Sequence, residues 1–586
     1  MEKWVVYSKR ADFKAIGEKF GIDQVTARIL RNRDIVEEDE ISLFLHGGLQ
    51  DLYDPYLLKD AQKLCRLLIE KIHEHAKIRI IGDYDIDGVM SSFLLEKSLI
   101  RVGAEVDVVI PDRIEDGYGL NRKLIETAKR DGVDVILTCD NGIAALDEIA
   151  LAKSLGMMIL VTDHHEIPFT EKDGTRIECK SMADAVVNPH QNDCPYPNKD
   201  LCGAAVAWKV VCILYELEQI PREEAYEFLE NVAFATVGDI MSLTGENRIL
   251  VKEGIKRIRH TKNIGMKALI TQCGLEISKI DAFHFGFVLG PCINASGRLD
   301  TAQKALELLL SSDEKEAAFL ANELVVLNEE RKEMTLRGVE EAKRLCETEN
   351  YGKDLVIVLY LPSVHESVAG IVAGRIREYY HKPVFILTDA AEGVKGSGRS
   401  IEAYSMYEEL CKCKDLLTKF GGHPMAAGLS LKKEYVEALR ERLNAQCTNK
   451  PEDFEAKIYI DVPMPMDYVT KELVLELQLL APFGKDNERP VFADKGLRVS
   501  RMWVIGRQKN VLRLSLITAS GMPVSAIYYG DIDAFLNYYR EKFGDAEVEC
   551  AGRGMQNDIR LSVIYQPTIN SYRGTESLQF EIRSFC

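Results

Sequence analysis

From Ile78 onward, short apolar runs alternate with amphipathic stretches, and this pattern constrains the fold more than any other feature. KIRIIGDYD is an apolar run that ends in acids. SSFLLEKSLIRVG then has helical spacing and stops at Gly103. EVDVVIP, VDVILTCDNG and MMILVTDHHE read as further strands, separated by the helical patterns NRKLIETAKRDG and ALDEIALAKSLG. Apolar strands interleaved with amphipathic helices predict a parallel sheet covered on both faces. Such sheets bind ligands beyond the carboxyl ends of their strands. Three strands here finish in polar clusters: Asp83 to Asp87, Cys139 to Asn141, and Thr162 to Glu166.

Each cluster taken alone has an ordinary reading, such as a solvated acidic turn or a glycine turn. Together they point to a metal centre. Asp83, Asp85 and Asp87 can splay around one point as the chain turns at Gly88, and three carboxylates so placed repel unless a cation lies among them. Asp140 precedes Asn141 and Gly142. Asp163, His164, His165 and Glu166 offer imidazole and carboxylate together, a set suited to Mn²⁺, Fe²⁺ or Zn²⁺. Asp239, in FATVGDIMSL, ends another apolar stretch and is read as a fourth strand-end acid. A two-metal site of this kind suits phosphodiester hydrolysis.

At 586 residues the chain is too long for one hydrophobic core. A charged helical stretch from about Thr301 to Leu345 reads as an amphipathic connector. A second α/β unit starts at DLVIVLY, and CTNKPEDFE reads as a linker. The remainder is rich in short strands (KIYIDV, VFADKGLRVSRMWVI, VLRLSLIT, VSAIYYG, EVECAG and IRLSVIY), which predicts a small β-barrel.

The net charge of −18 argues mildly against general nucleic-acid binding. The average hides a local exception. Lys495, Arg498, Arg501, Arg507, Lys509 and Arg513 occur in one stretch with no acid, and Trp503 lies among them. Trp503 can stack on a base there, or can belong to the barrel core. The 14 cysteines have no CxxC pair and read as reduced thiols. No secretory signal or membrane-length apolar run is visible, so a cytoplasmic protein with no membrane association is expected.

The segments DYDIDG, CDNG, VTDHHE and TVGDIMSL resemble the four metal-site motifs of the DHH phosphoesterase family. GPCINASGRL, HESVAGIVAGRI, KGSGRS, FGGHPMAAGLSL and LLAPFGKDNERPVF narrow the resemblance to bacterial RecJ-type exonucleases. The resemblance implies two α/β domains joined by a long helix and followed by an OB-fold β-barrel. The expected divisions are an N-terminal segment at 1–51, a parallel-sheet DHH domain at 52–300, a connector helix at 301–348, a DHHA1-like substrate domain at 349–450 and the OB-fold at 451–586.

It also implies roles. Asp85 and Asp87 would each hold a metal, with Asp83 completing the shell. Asp140 would bridge two Mn²⁺ or Mg²⁺ ions, and His164 and Asp239 would bind the second. Asp163 would orient the histidines, and His165 would face the scissile phosphate. Arg298, Ser397 and Arg399 would bind substrate phosphates, including the 5′ end. His423, beside Gly421 and Gly422, would reach the phosphate from the second domain, with His365 and Arg375 as weaker candidates there. Trp503 and Arg507 would contact the strand from the barrel. The implied activity is 5′-to-3′ hydrolysis of single-stranded DNA in repair and recombination, with a single-strand-binding protein and a RecQ-like helicase as partners.

Departures from the family pattern are Cys292 in place of Arg, Val364 in place of an aromatic, and Ser367 in place of Gly. Two other functions fit parts of the chain. One is a DHH phosphoesterase acting on short oligonucleotides, nucleotide phosphates or a cyclic dinucleotide; the C-terminal barrel argues against it. The other is a catalytically silent single-strand-binding scaffold, against which the full ligand set argues. A P-loop enzyme is excluded because no GxxxxGK[ST] occurs.

Overall fold

The computed structural model describes residues 2–586 apart from 114, 115, 118, 173, 174, 391, 392, 507, 508 and 573. Arg507 therefore lies outside the described residues. The chain forms two compact units, Leu52–Glu455 and Met1–Asp51 together with Ala456–Cys586.

The first sheet of the larger unit is parallel throughout. Its strand order is Glu105–Val109, Lys77–Ile81, Val135–Cys139, Met158–Thr162 and Ala185–Val187. Ile78, Ile80, Ile81 and all of Val135–Cys139 are buried, as continuous apolar runs must be in a sheet covered on both faces. Helices Arg122–Arg130 and Leu146–Ser154 pack on one face against Ile81, Ile136 and Val161. Ile86–Arg101 and Gly203–Leu217 pack together on the other.

The second sheet runs Leu417–His423, Ala426–Leu431, Val394–Arg399, Val384–Asp389, Ile357–Tyr360. Its Ile357–Tyr360 and Val384–Asp389 pair is parallel and the other neighbours are antiparallel. Helix Glu366–Tyr380 covers one face through Val368, Val372 and Ile376. Leu439 and Leu443 of Val436–Gln446 cover the other.

The helical stretch expected from Thr301 is two helices, Gln303–Leu310 and Glu314–Thr348. The break falls at Asp313, whose carboxylate accepts the first free N–H groups of the second helix, from Lys315 and Glu316.

In the smaller unit, five strands close a ring: Phe492–Ile505, Val511–Ile517, Pro523–Tyr528, Thr575–Phe585 and Arg560–Tyr572, which pairs back to the first. Closure removes the free sheet edges. The barrel core includes Leu497, Val499, Leu514, Val563 and Phe580. Ile29 and Leu30 of the N-terminal segment belong to the same core, and Lys3–Val6 pairs in parallel with Lys457–Ile460.

The run EVECAG, expected as a strand, lies in the helix Asp545–Arg553. Its buried residues Val548 and Ala551 are three apart, the spacing of one helical face rather than of a strand.

Packing in the larger unit is tight at Gly265, where a Cβ would lie 1.8 Å from the Leu308 carbonyl oxygen. Gly265→Ala is expected to lower the unfolding free energy by about 1–3 kcal/mol. Gly374, inside a helix with open space at its Cβ, provides the control; Gly374→Ala is expected to be neutral or stabilising by up to about 1 kcal/mol. Denaturant unfolding of both variants checks this, and equal changes would contradict it.

Candidate metal centre and substrate cleft

Three strand ends and one helix end converge in the larger unit. Asp83 follows Lys77–Ile81, Asp140 follows Val135–Cys139, and Asp163 and His164 follow Met158–Thr162. Asp239 does not end a strand, as expected from its apolar approach; it caps the C-terminus of helix Leu229–Gly238. The expected turn at Gly88 also lies earlier. Helix Ile86–Arg101 has already begun, because the Asp85 carboxylate accepts from the N–H groups of Asp87 and Gly88 at 2.9 and 3.2 Å.

All six expected ligands come together. Ligand atoms lie within 4.8 Å of one another in three groups: Asp83, Asp85 and Asp140; Asp87, His164 and Asp239; and Asp140, His164 and His165. His164 Nε2 is 3.1 Å from an Asp140 oxygen, 3.6 Å from Asp87 and 3.7 Å from Asp239. Asp140 thus belongs to groups on both sides of the cluster.

The surrounding backbone fixes these side chains. Asp87 accepts from the N–H groups of Gly203 and Ala204 at 2.5 and 2.8 Å, at the start of helix Gly203–Leu217. That helix end is a natural anion site. It can approach because residue 203 is glycine: a Cβ there would lie 2.7 Å from the Cβ of Asp140. Asp140 itself sits at φ 60, a left-handed conformation that is sparse for a non-glycine residue and concentrates at functional sites. Asp163 accepts from the backbone N–H groups of Ile143 and His164 and bonds the His165 ring at 2.8 Å. Asp163 thus contacts the His165 ring directly and His164 through its backbone N–H.

The electrostatics are those of a cation site. Burial, reinforced by neighbouring carboxylates, pushes Asp83 and Asp140 well above the usual carboxyl range. Burial raises Asp87 as well, against the pull of His164. One Asp83 oxygen, Oδ1, is buried without a hydrogen-bond partner among the described residues. Unpartnered carboxylate oxygens facing other carboxylates fit a bound divalent ion, and the Asp and His donor set fits Mn²⁺ or a similar metal. His164 is lowered by burial, which favours the neutral ring that ligates metals. His165 is opposed by burial, yet its Asp163 partner lifts it to about 9.

Beside this cluster is a cavity of about 490 Å³ lined by Tyr84 and Arg113 from the first α/β layer and by Ser367, Ser397, Lys419 and Phe420 from the second. Arg298 donates to the Ser367 carbonyl at 2.8 Å, and Arg399 to the Gly398 carbonyl at 2.7 Å. Neither guanidinium has a carboxylate partner among the described residues. Burial and the like charges of Arg113 and Arg331 bring Arg298 down to about 10, and burial with Arg377 and Arg113 lowers Arg399. Buried guanidiniums that repel one another form a ready anion site.

The remaining expected residues are not among those lining the cavity. His423 is exposed at the end of its strand, outside the residues lining the cavity. His365 caps helix Glu366–Tyr380 and bonds the Ser367 hydroxyl at 2.7 Å. Arg375 is 64% exposed and pairs with Glu378 at 3.1 Å. In the smaller unit Trp503 is half-buried and absent from the barrel core. Arg501 and Arg513 lie over its ring at 4.9 and 5.6 Å.

Sequence reasoning missed Arg113, the Gly203 and Ala204 amides, and Asn294, whose side chain accepts from the Ile86 N–H at 2.8 Å. Only Asn294 lies in one of the motifs quoted above; the amides leave no side-chain signal. Among the departures, Cys292 is buried with its sulfur 3.9 Å from that of Cys273. Val364 is buried in the second layer, and Ser367 supplies the carbonyl that Arg298 contacts.

The DHH family, N-terminal domain, matches residues 77–236, the DHHA1 domain matches 353–449 and the RecJ OB domain matches 460–584. The single-stranded-DNA-specific exonuclease RecJ of Bacillus subtilis (strain 168) is 35% identical over 99% of this chain and 70% of its own length. The protein of the same name from Escherichia coli (strain K12) is 33% identical over 94% of this chain and 98% of its own. Among solved structures, RecJ from Thermus thermophilus in complex with Mn²⁺ aligns with a TM-score of 0.81 at 27% identity, covering 100% of this chain and 79% of that one. Its Mg²⁺ complex aligns at 0.76 and 26% identity, covering 100% of this chain and 78% of that one. With the three domain types in this order and full-length relatives above 30% identity, the chain belongs to the RecJ family.

Proposed function

We propose that this chain is a metal-dependent exonuclease that removes nucleotides from the 5′ end of single-stranded DNA. The observation that carries the reading is a carboxylate–imidazole cluster beside a cavity lined by Arg113 and by Ser367, whose carbonyl Arg298 contacts. Relatives named as single-stranded-DNA-specific exonucleases and structures of RecJ with Mn²⁺ and Mg²⁺ support it. The domain divisions given above, a cytoplasmic location, and partners of the single-strand-binding and RecQ-like helicase kinds belong to the same proposal. Among the described residues no helix is long and apolar enough to cross a membrane.

Asp83, Asp85 and Asp140 would hold one ion, and Asp87, His164 and Asp239 the other, with Asp140 shared. Two bound ions would supply an acidified attacking water and charge relief at the leaving oxygen. Asp163, bonded to the His165 ring at 2.8 Å, would orient that imidazole toward the scissile phosphate. Arg298, Arg399 and Ser397 anchor the phosphates of the incoming end. The Gly203 and Ala204 amides fix the orientation of Asp87.

Four outcomes are expected. In metal-free protein Asp140→Asn raises stability by relieving repulsion, whereas Mn²⁺ at about 100 times its Kd stabilises the wild type by about 2.7 kcal/mol and the variant far less. Unfolding with and without chelator checks this, and an equal gain in both proteins would contradict the ligand role.

DNA labelled separately at each end should release short 5′-labelled product early, dependent on metal and lost in Asp140→Ala. Arg298→Ala should lower kcat/KM on a 5′-phosphorylated strand by about 10- to 100-fold, as for loss of a charged hydrogen bond, and change the 5′-hydroxyl strand much less. Early 3′ product, or an undiminished 5′-phosphate preference, would refute the polarity or the anchor.

Arg498, Arg501 and Arg513 are exposed on the barrel. Replacing all three with Ala should weaken binding to long strands and flatten the salt dependence by about 2 in log–log slope, at roughly 0.7 per phosphate contact. An unchanged slope would remove the barrel from the strand's path.

A further inference from the structure

Phe283 and Phe287 stand 58% and 71% exposed in the larger unit, with ring centroids 5.0 Å apart and planes 23° from parallel. Leaving two phenyl groups in water forgoes a substantial burial gain, so a stacked exposed pair calls for a ligand with an aromatic face. Their position supplies a second observation. The intervening π-helical turn, Phe285–Leu289, sends Phe285 inward against Phe234, with ring centroids 5.0 Å apart. A Cβ on Gly286 would meet Val237 at 3.5 Å. The turn therefore lies on the last turns of helix Leu229–Gly238, which ends at the candidate ligand Asp239. The next residue, Ile240, is 68% exposed at φ 58, a strained conformation for a β-branched side chain. Immediately after the turn, helix Gly290–Leu299 carries Asn294 and Arg298 to the site.

We infer that Phe283 and Phe287 form a platform on which bases of the substrate strand stack next to the metal centre. This rests on the single-strand reading above and extends it. Binding of single strands generally pairs cations that track phosphates with aromatic faces that take bases without regard to sequence. Arg298 and Arg399 provide the first element here, and the phenyl pair provides the second. A π-helical turn at this point is consistent with that use, since such turns concentrate at functional sites.

The test uses the full chain with Mn²⁺ and a 5′-phosphorylated single strand, compared with the same strand carrying abasic residues behind its 5′ nucleotide. The double variant Phe283→Ala/Phe287→Ala should raise KM on the normal strand at least about fivefold, the lower bound for one lost base stack, with kcat little changed. On the abasic strand the wild type should already show the raised KM, and the double variant should add nothing. Phe287→Trp should retain the wild-type KM, and Phe287→Leu should not. An unchanged KM, an equal loss on both strands, or full activity in Phe287→Leu would overturn the platform. An unchanged KM with loss of self-association in sedimentation would assign the pair to a contact between copies instead. Failure of the wild type to cleave either strand would defeat the proposed function, not the platform alone.

Discussion

Like-charge crowding at one buried point is the constraint on which the larger unit depends. Asp83, Asp87 and Asp140 are almost wholly buried, and Asp85 and Asp239 lie beside them. Carboxylates so placed disfavour one another's ionised forms, which is why burial and mutual repulsion raise the three buried ones. A divalent cation reverses that balance. The fold meets part of the cost from its own backbone, through the Gly203 and Ala204 amides on Asp87 and the left-handed turn that places Asp140.

The same logic with the opposite sign governs the neighbouring cleft. Arg298 and Arg399 are held by backbone carbonyls, and most of their charged neighbours are other guanidiniums. An acid-rich pocket beside an arginine-rich one explains how a chain of net charge −18 can handle a polyanion. The average charge describes the solvated surface and hides local basic groups, a few of them buried and others exposed around Trp503.

Much of this is legible in the sequence. The apolar runs at Ile78, Val135 and Met158 specify the parallel sheet, and its topology requires their polar ends to meet. The six expected ligands assemble because each lies just beyond a strand or at the end of a helix. What escapes has a common physical cause. Asp239 is expected at a strand end because of the apolar run before it, yet such a run suits a buried helix as well as a buried strand. EVECAG misleads for the same reason, since burial at Val548 and Ala551 has helical spacing. The N-terminal segment shares a core with the barrel more than 400 residues away, a pairing that local pattern cannot express. The support from Gly203 and Ala204 comes from backbone amides, which no side chain announces. His423 and Arg375 rest on resemblance alone, and the fold leaves both exposed.

The central claim is that one carboxylate-rich pocket holds two cations through a shared Asp140. Diffraction data collected at the manganese absorption edge from crystals soaked in Mn²⁺ test it most directly. The account predicts two anomalous peaks about 3.5–4 Å apart, one beside Asp83 and Asp85, the other beside Asp87, His164 and Asp239, with Asp140 between them. A single peak, or two peaks away from Asp140, would contradict it.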